Sequence, residues 1–261
     1  MTFADAKQRF SSRVADYVRY RPGYPPALID LLRAKCGLLP HHQIADIGSG
    51  TGFLSKLFLR NGNIVFAVEP NREMREAGDE FLVSHSKFLS LEGSAESTGL
   101  GDASIDLIAV GQAFHWFAPI ATRREFIRIL RPQGWVAVIW NQRPISETAF
   151  SRAYEDLLLR YGTDYTQVKA AYPETRDMEN FFGEENFQRS ELPNRQEFDC
   201  DGLAGRLRSS SYAPKEGHAN YAPMMAALRE LFEANQDDGR VQMNYTTEIY
   251  LGQLEAMRNA R

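Results

Sequence analysis

Apolar residues recur along this chain with two periods, and the switch between them outlines a fold. Within residues 3–21, Phe10, Val14, Tyr17 and Val18 fall at i, i+4, i+7 and i+8, which is one helical face. Arg9, Arg13, Arg19 and Arg21 surround that face. Pro22-Gly23 and Pro25-Pro26 break the helix. Leu28, Ile29, Leu31 and Leu32 mark a second one over 27–35, and Gly37 ends it. From residue 43 the rhythm is regular. Short apolar runs at 43–47, 64–68, 88–92, 104–110 and 134–140 predict strands, and the stretches 51–60, 71–82 and 120–130 predict helices between them. Such alternation implies right-handed crossovers and a parallel sheet with helices on both faces.

After Asn141 the pattern changes. Residues 142–188 are rich in Tyr, Glu and Arg and read as helix and loop without a strand. A strand is expected at 195–200, a helix at 223–235 with Met224, Leu228 and Leu231 on one face, and a late strand at 240–251 through Val241, Met243 and Tyr245. No internal repeat or low-complexity linker divides the chain. The expected organisation is an N-terminal helical segment at 1–36, a core formed by 37–141 and 191–261, and an insertion at 142–190.

Composition narrows the function classes. The chain has 261 residues, about 1.7 domains at roughly 150 residues each, so one domain with an insertion fits. With 43% hydrophobic and 25% charged residues, it is neither wholly disordered nor fibrous. A formal charge of −4 disfavours a general nucleic-acid binder, which needs a basic surface. Two cysteines, Cys36 and Cys200, are too few for a disulfide framework or a cysteine-rich zinc site and fit a reducing cytoplasm. The first ten residues lack the apolar core of a signal peptide, and the apolar stretch at 105–121 is too short and polar to span a bilayer. The expectation is a cytoplasmic protein, monomer or homodimer, with no nucleic acid, no membrane and no metal.

The most informative stretch is Asp46-Ile47-Gly48-Ser49-Gly50-Thr51-Gly52, between a strand and a helix. Glycines at alternate positions let backbone approach a ligand without Cβ clashes. The helix that follows offers free N–H groups and the positive end of its dipole. Glu69 ends the next strand, 69 − 46 = 23 residues on, where a carboxylate can accept two hydrogen bonds from a ribose diol. The loop is not G-x-G-x-x-G, because the third glycine comes one residue early, and no Lys-Ser or Lys-Thr makes it a P-loop. A carboxylate at Asp46 would repel a pyrophosphate but suits a ligand with an ammonium or sulfonium charge.

With these residues the chain resembles a class I S-adenosylmethionine-dependent methyltransferase. The segments Glu92-Gly93-Ser94-Ala95-Glu96, Asp106-Leu107-Ile108 with Gln112-Ala113-Phe114-His115-Trp116, and Leu130-Arg131-Pro132-Gln133-Gly134-Trp135 continue the likeness over residues 40–141. Tyr20-Arg21-Pro22-Gly23-Tyr24-Pro25 and Ser209-Ser210-Ser211-Tyr212 look like the methyltransferase type 11, trans-aconitate methyltransferase-like branch. The resemblance implies a seven-stranded, doubly wound, Rossmann-like sheet with its last strand antiparallel and a helical cap. It implies S-adenosyl-L-methionine as cofactor, S-adenosyl-L-homocysteine as product, and a small-molecule acceptor, a carboxylic acid among the candidates.

The same resemblance assigns the cofactor contacts to Asp46, Gly48, Ser49, Gly50, Gly52, Glu69, Pro70, Ser94, Ala95 and Gln112. Tyr20 and Arg21 are expected to join them from a lid formed by Tyr17, Tyr20, Tyr24 and the arginines, with Arg19 or Arg21 as a bidentate clamp on a carboxylate. The equal alternative is an amphipathic helix packed on the sheet edge with a solvated basic face. Glu96 reads equally as surface, and Phe114 as core rather than stacker. His115 is the one candidate catalyst, a general base in the loop facing the methyl group. Against that role, methyl transfer from a sulfonium is an in-line displacement that alignment and water exclusion can carry. The rivals are a non-catalytic S-adenosylmethionine-binding protein, a methyltransferase acting on RNA or protein, and a nicotinamide-dependent oxidoreductase, which the glycine spacing and Asp46 disfavour.

Overall fold

The computed structural model describes residues 14–170, 172 and 175–254, and the expected helical face at 3–21 lies largely outside them. In chain order the elements are α1 (Val14–Tyr20), α2 (Ala27–Cys36), β1 (Gln43–Ile47), α3 (Phe53–Arg60), β2 (Ile64–Val68), α4 (Arg72–Phe81), β3 (Phe88–Leu91) and β4 (Ile105–Gly111). A 3-10 turn at Phe114–Trp116 leads into α5 (Pro119–Ile129) and β5 (Leu130–Gln142). Then follow α6 (Ala149–Tyr161), α7 (Tyr165–Ala170), α8 (Thr175–Phe182), β6 (Phe187–Phe198), α9 (Cys200–Arg208), α10 (Tyr221–Asn235) and β7 (Val241–Gly252).

The strands form a seven-stranded sheet in the order β3-β2-β1-β4-β5-β7-β6. Strands β1 to β5 run parallel, while β7 is antiparallel to both β5 and β6. The expected doubly wound fold is therefore present. Alternation along the strands sends successive side chains to opposite faces. In β5, Ala137 and Ile139 join a core with α2 and α3 through Leu28, Leu32 and Phe58. Val136, Val138 and Trp140 join the opposite core with α5 and α8 through Phe126, Ile129 and Phe181. Strand order reverses between β1 and β4, so the crevice at their C-terminal ends is where a ligand is expected.

Strands β6 and β7 pair from Phe187↔Gly252 to Phe198↔Val241, whereas β5 pairs only as far as Gln142↔Thr246. The far end of the β6–β7 pair thus overhangs the C-terminal edge of the sheet. A third core sits on that overhang. It joins Phe198, Val241, Met243 and Tyr245 to α6, α7, α9 and α10 through Tyr154, Leu158, Leu203, Leu207, Met224 and Leu228. The helical layer is therefore drawn from two segments rather than from 142–190 alone. The boundary expected at 190/191 also falls inside β6.

Other boundaries shift for local reasons. Helix α3 begins at Phe53, not at residue 51, because Gly52 is left-handed (φ 83°) and serves as its N-cap. Strand β5 begins at Leu130, upstream of the expected Gly134. Pro132 disfavours helix at the residue before it, so the chain is already extended there. Strand β6 is longer than the expected 195–200 because it is an edge strand with alternating exposure and no apolar stripe. Pro193 is tolerated there for the same reason. Helix α9 was not expected. Among the described residues no helix is long and apolar enough to cross a membrane, and Cys36 and Cys200 are both free thiols.

Candidate functional site

The loops after β1, β2, β3 and β4 all emerge at one edge of the sheet, because these strands are parallel. The glycine loop turns sharply there. Gly48, Gly50 and Gly52 all have positive φ (68°, 55° and 83°), a region that costs an L-residue about 1–2 kcal/mol. A Cβ on Gly48 would sit 2.6 Å from the Ala113 Cβ, so this glycine is also needed for packing on the β4 loop. A Cβ on Gly50 would meet nothing within 4 Å, so that glycine faces open space. The N–H groups of Gly48 and Ser49 both donate to the Val68 carbonyl, at 2.8 and 3.2 Å, which ties the loop to the end of β2.

Glu69 completes the tie. Its Oε2 accepts the Gly50 N–H at 3.0 Å and its Oε1 accepts the Asn71 N–H at 2.9 Å. Each oxygen keeps a second lone pair for a ligand. Burial raises the carboxyl above the usual carboxylate range, and the two N–H donors oppose that shift. The Asn71 side chain in turn caps α4 by accepting the Met74 N–H at 3.1 Å. Pro70 between them is half-buried.

Asp46 is 1% exposed at the end of β1. Its Oδ2 accepts the Ser55 hydroxyl at 2.6 Å, and its Oδ1 has no partner among the described residues. Desolvation pushes this carboxyl up to about 7, against the pull of Ser55. A buried, unsatisfied carboxylate oxygen is costly unless a ligand or cation supplies what is missing.

A cleft joins Asp46, Gly48, Ser49 and Gly50 to Gln112 across the β1–β4 switch, with Arg21, Pro22 and Tyr24 on its other side. Gln112 holds φ at 59°, an uncommon left-handed conformation for a non-glycine residue, at the point where β4 ends. Its N–H donates to Ile139 O at 3.0 Å and its Nε2 to Asn141 O at 3.3 Å. The segment carrying Arg21 is fastened to the sheet. The Gly23 carbonyl accepts from Asn141 Nδ2 at 3.1 Å and from Asn194 Nδ2 at 2.9 Å. Arg21 itself donates from Nη2 to the Ser209 carbonyl at 3.0 Å.

Other expected residues lie outside this cleft. Tyr20 packs against Gly205 of α9. Ser94 closes a tight turn with Ser97 through reciprocal backbone bonds of 3.0 and 3.2 Å, beside the end of β3. The Ala95 side chain points into the core. Glu96 is no free surface group: its Oε1 accepts the Ala118 N–H at 2.8 Å at the start of α5. Phe114 packs edge-on to Phe117 and Phe181. His115 sits among aromatic rings, 4.4 Å from Trp116 and 5.1 Å from Trp140 between centroids. Burial there pushes its imidazole down to about 4, and its Nδ1 has no partner among the described residues.

With this geometry in hand, the comparisons with known proteins converge. Residues 45–138, which hold the glycine loop, Glu69 and Gln112, match the family model described as a methyltransferase domain. Residues 45–138 thus carry a methyltransferase domain. The uncharacterized methyltransferase Rv3342 of Mycobacterium tuberculosis is 37% identical over 139 residues, 53% of this chain and 54% of that protein. The uncharacterized methyltransferase C25B8.09 of Schizosaccharomyces pombe is 35% identical over 138 residues, 51% of this chain and 53% of that protein. This chain thus spans about half the length of the curated relatives it matches. The structure of a candidate type II methyltransferase from Anaeromyxobacter dehalogenans covers 91% of this chain and 100% of its own, with a TM-score of 0.63 and 22% identity. That likeness shows the fold beyond the matched segment.

Sequence reasoning missed part of the methyltransferase domain's surroundings. Tyr24, expected as part of a lid, lines the cleft with the hydroxyl end of its ring over Gly111. Polar residues were missed in the helical layer, where Arg143, Tyr154, Glu155, Tyr165, Arg206 and Tyr212 are brought together in or beside the third core. A signal for Arg206 existed: it lies among Leu203, Ala204 and Leu207 on the buried side of α9.

Proposed function

We propose that this protein transfers the methyl group of S-adenosyl-L-methionine to a small-molecule acceptor held between the β1–β4 crevice and the helical layer. The observation that carries the reading is the Asp46–Gly50–Glu69 arrangement. A buried carboxylate oxygen without a partner among the described residues and an open glycine line one cleft, and a half-satisfied acid one strand away accepts that glycine's N–H. These features fit the donor. Glu69 would accept the ribose hydroxyls through its free lone pairs. Gly48, Ser49 and Gly50 would receive the backbone-facing side of the ligand without Cβ clashes. Asp46 and Gln112 would face the cationic amino-acid part, and Arg21 its carboxylate. Gly52 and Pro70 shape the loop and the turn after β2, and Ser94 and Ala95 border the adenine side. The bound donor supplies a methyl group already activated on a sulfonium.

The chain's own residues then have limited chemistry to perform. Alignment and exclusion of water by the fastened Arg21–Tyr24 segment provide the catalytic contribution. His115 is poorly suited as a base, because an imidazole held near pH 4 has little driving force to take a proton from a hydroxyl or amine at neutral pH. Its role is to pack the loop after β4 against Trp140. A turnover assay with a panel of small acids, alcohols and amines and the methyl donor tests the reading. Formation of S-adenosyl-L-homocysteine that depends on a small acceptor supports it. Donor binding without turnover of any acceptor would favour the non-catalytic alternative.

A further inference from the structure

Beyond the donor cleft, the helical layer buries an unusual concentration of positive charge. Arg206 on α9 is 6% exposed. It donates from Nε to the Tyr245 hydroxyl at 3.1 Å and from Nη1 to the Ser210 hydroxyl at 2.9 Å. No carboxylate among the described residues pairs with it. Arg143, just after β5, is nearly as buried. Its Nη2 donates to Glu155, while its Nη1 has no partner among the described residues. The acid that meets Arg143 among the described residues, Glu155, is already taken: it also accepts from the Tyr165 hydroxyl at 2.6 Å and from Lys169 Nζ at 2.7 Å. The Tyr154 ring lies 5.0 Å under the Arg143 guanidinium, and its buried hydroxyl is likewise unpartnered.

Three facts point to a missing anion. First, burying a guanidinium against neutral hydroxyls alone is unfavourable, and protein interiors normally pair such a charge. Second, the unused polar atoms, Arg143 Nη1 and the Tyr154 hydroxyl, are donors with nothing in the described chain to accept from them. Third, Tyr212 is 6% exposed, yet its hydroxyl is held below the ordinary tyrosine range. Burial alone would raise it, but Arg206, Arg21, Ser210 and Arg143 outweigh that. The cluster therefore carries positive potential that the Glu155 carboxylate does not neutralise.

The cluster is also continuous with the donor cleft. Arg21 lines that cleft and is hydrogen-bonded to Ser209, at the end of α9. We propose that Arg206 and Arg143, with the Tyr154 hydroxyl, anchor a carboxylate on the small molecule that receives the methyl group. A planar carboxylate suits two guanidiniums and a hydroxyl, since each of its oxygens can accept more than one hydrogen bond. The role in methyl transfer rests on the donor reading above, but the anion site itself does not.

The test is calorimetric titration of the full chain, with and without S-adenosyl-L-homocysteine, with short aliphatic and aromatic carboxylic acids, each against its neutral primary amide. At least one acid should bind more tightly than its amide. Arg206→Gln should weaken that acid about tenfold or more and leave the amide unchanged, as expected for a lost hydrogen bond to a charged group. Tyr154→Phe, which removes only an unpartnered hydroxyl, should weaken the acid by about threefold to tenfold with an unchanged melting temperature. A merely structural role for Arg206 would move acid and amide together. The proposal is overturned if no acid is preferred to its amide, or if Tyr154→Phe or a folded Arg206→Gln keeps the full preference. Failure of S-adenosyl-L-homocysteine to bind would count against the donor reading alone, because the acid-against-amide comparison on the free protein still decides this one.

Discussion

The Glu69 carboxylate accepts the backbone N–H of Gly50 at 3.0 Å, so the acid that ends β2 holds the loop that follows β1. The same carboxylate accepts the Asn71 N–H at 2.9 Å. Both of its oxygens therefore face donors. Glu69→Ala should weaken S-adenosyl-L-methionine binding by about 2 kcal/mol, the scale of a lost charged hydrogen bond. Glu69→Gln should be nearly as damaging, since its amide NH2 would face one of the two N–H groups. Titration calorimetry on the two variants checks this; wild-type affinity in Glu69→Gln would remove the acceptor role from one oxygen.

Two glycines of the loop should separate folding from binding. Gly48→Ala forces a Cβ to within 2.6 Å of the Ala113 Cβ at a φ of 68°. Left-handed strain and overpacking together should cost about 2–5 kcal/mol. Gly50→Ala meets no atom within 4 Å and carries only the conformational cost, about 1–2 kcal/mol. Its new methyl group would project into the cleft instead. Thermal melts should show a large drop for Gly48→Ala and a small one for Gly50→Ala, while donor affinity falls in Gly50→Ala. Equal melting temperatures would contradict the packing assigned to Gly48.

Asp46 should make the cleft sensitive to pH. Its carboxyl is raised from 3.8 to about 7, so the folded protein holds the proton more tightly than the unfolded chain does. The stability from this group is complete below pH 3.8 and is lost as pH rises through about 7. At about 1.36 kcal/mol per unit, the loss is on the order of a few kcal/mol. Asp46→Asn cannot ionise and should not show that fall. A cationic donor favours the ionised form, so wild-type affinity for S-adenosyl-L-methionine should rise between about pH 5.5 and 7.5, and the Asn variant should be flat. Identical pH profiles for melting and binding in the two proteins would refute the assignment.

The parts of this architecture that obey local rules could be anticipated. β1, β2 and β4 are short apolar runs bounded by turn residues, and the glycine loop with Glu69 announces the site because its residue types have few other uses. What could not be anticipated depends on distant packing. β6 has no apolar stripe, since an edge strand needs only one paired side. Arg143 and Glu155 are 12 positions apart, and Arg206 and Tyr245 are 39 apart. The overhang of β7 brings Tyr245 to Arg206. The Tyr20 ring lies against Gly205, a long-range contact that no local pattern announces.

His115 should prove dispensable for proton transfer. Burial among Trp116 and Trp140 holds it near pH 4, well below the ordinary imidazole value. His115→Ala should keep donor binding and lose less than about tenfold in kcat, because general bases typically contribute about a hundredfold or more. The acid limb of the pH–rate profile should stay where it is. A hundredfold loss together with a displaced acid limb would restore His115 as the base.

The proposed function stands on binding of the methyl donor in this cleft. Isothermal titration with S-adenosyl-L-methionine, with S-adenosyl-L-homocysteine and with NAD as control tests it most directly. The expected result is saturable binding of both sulfur compounds at one site per chain, weakened in Glu69→Ala, with no binding of NAD. Binding of NAD, or no binding of either sulfur compound to the folded protein, would contradict it.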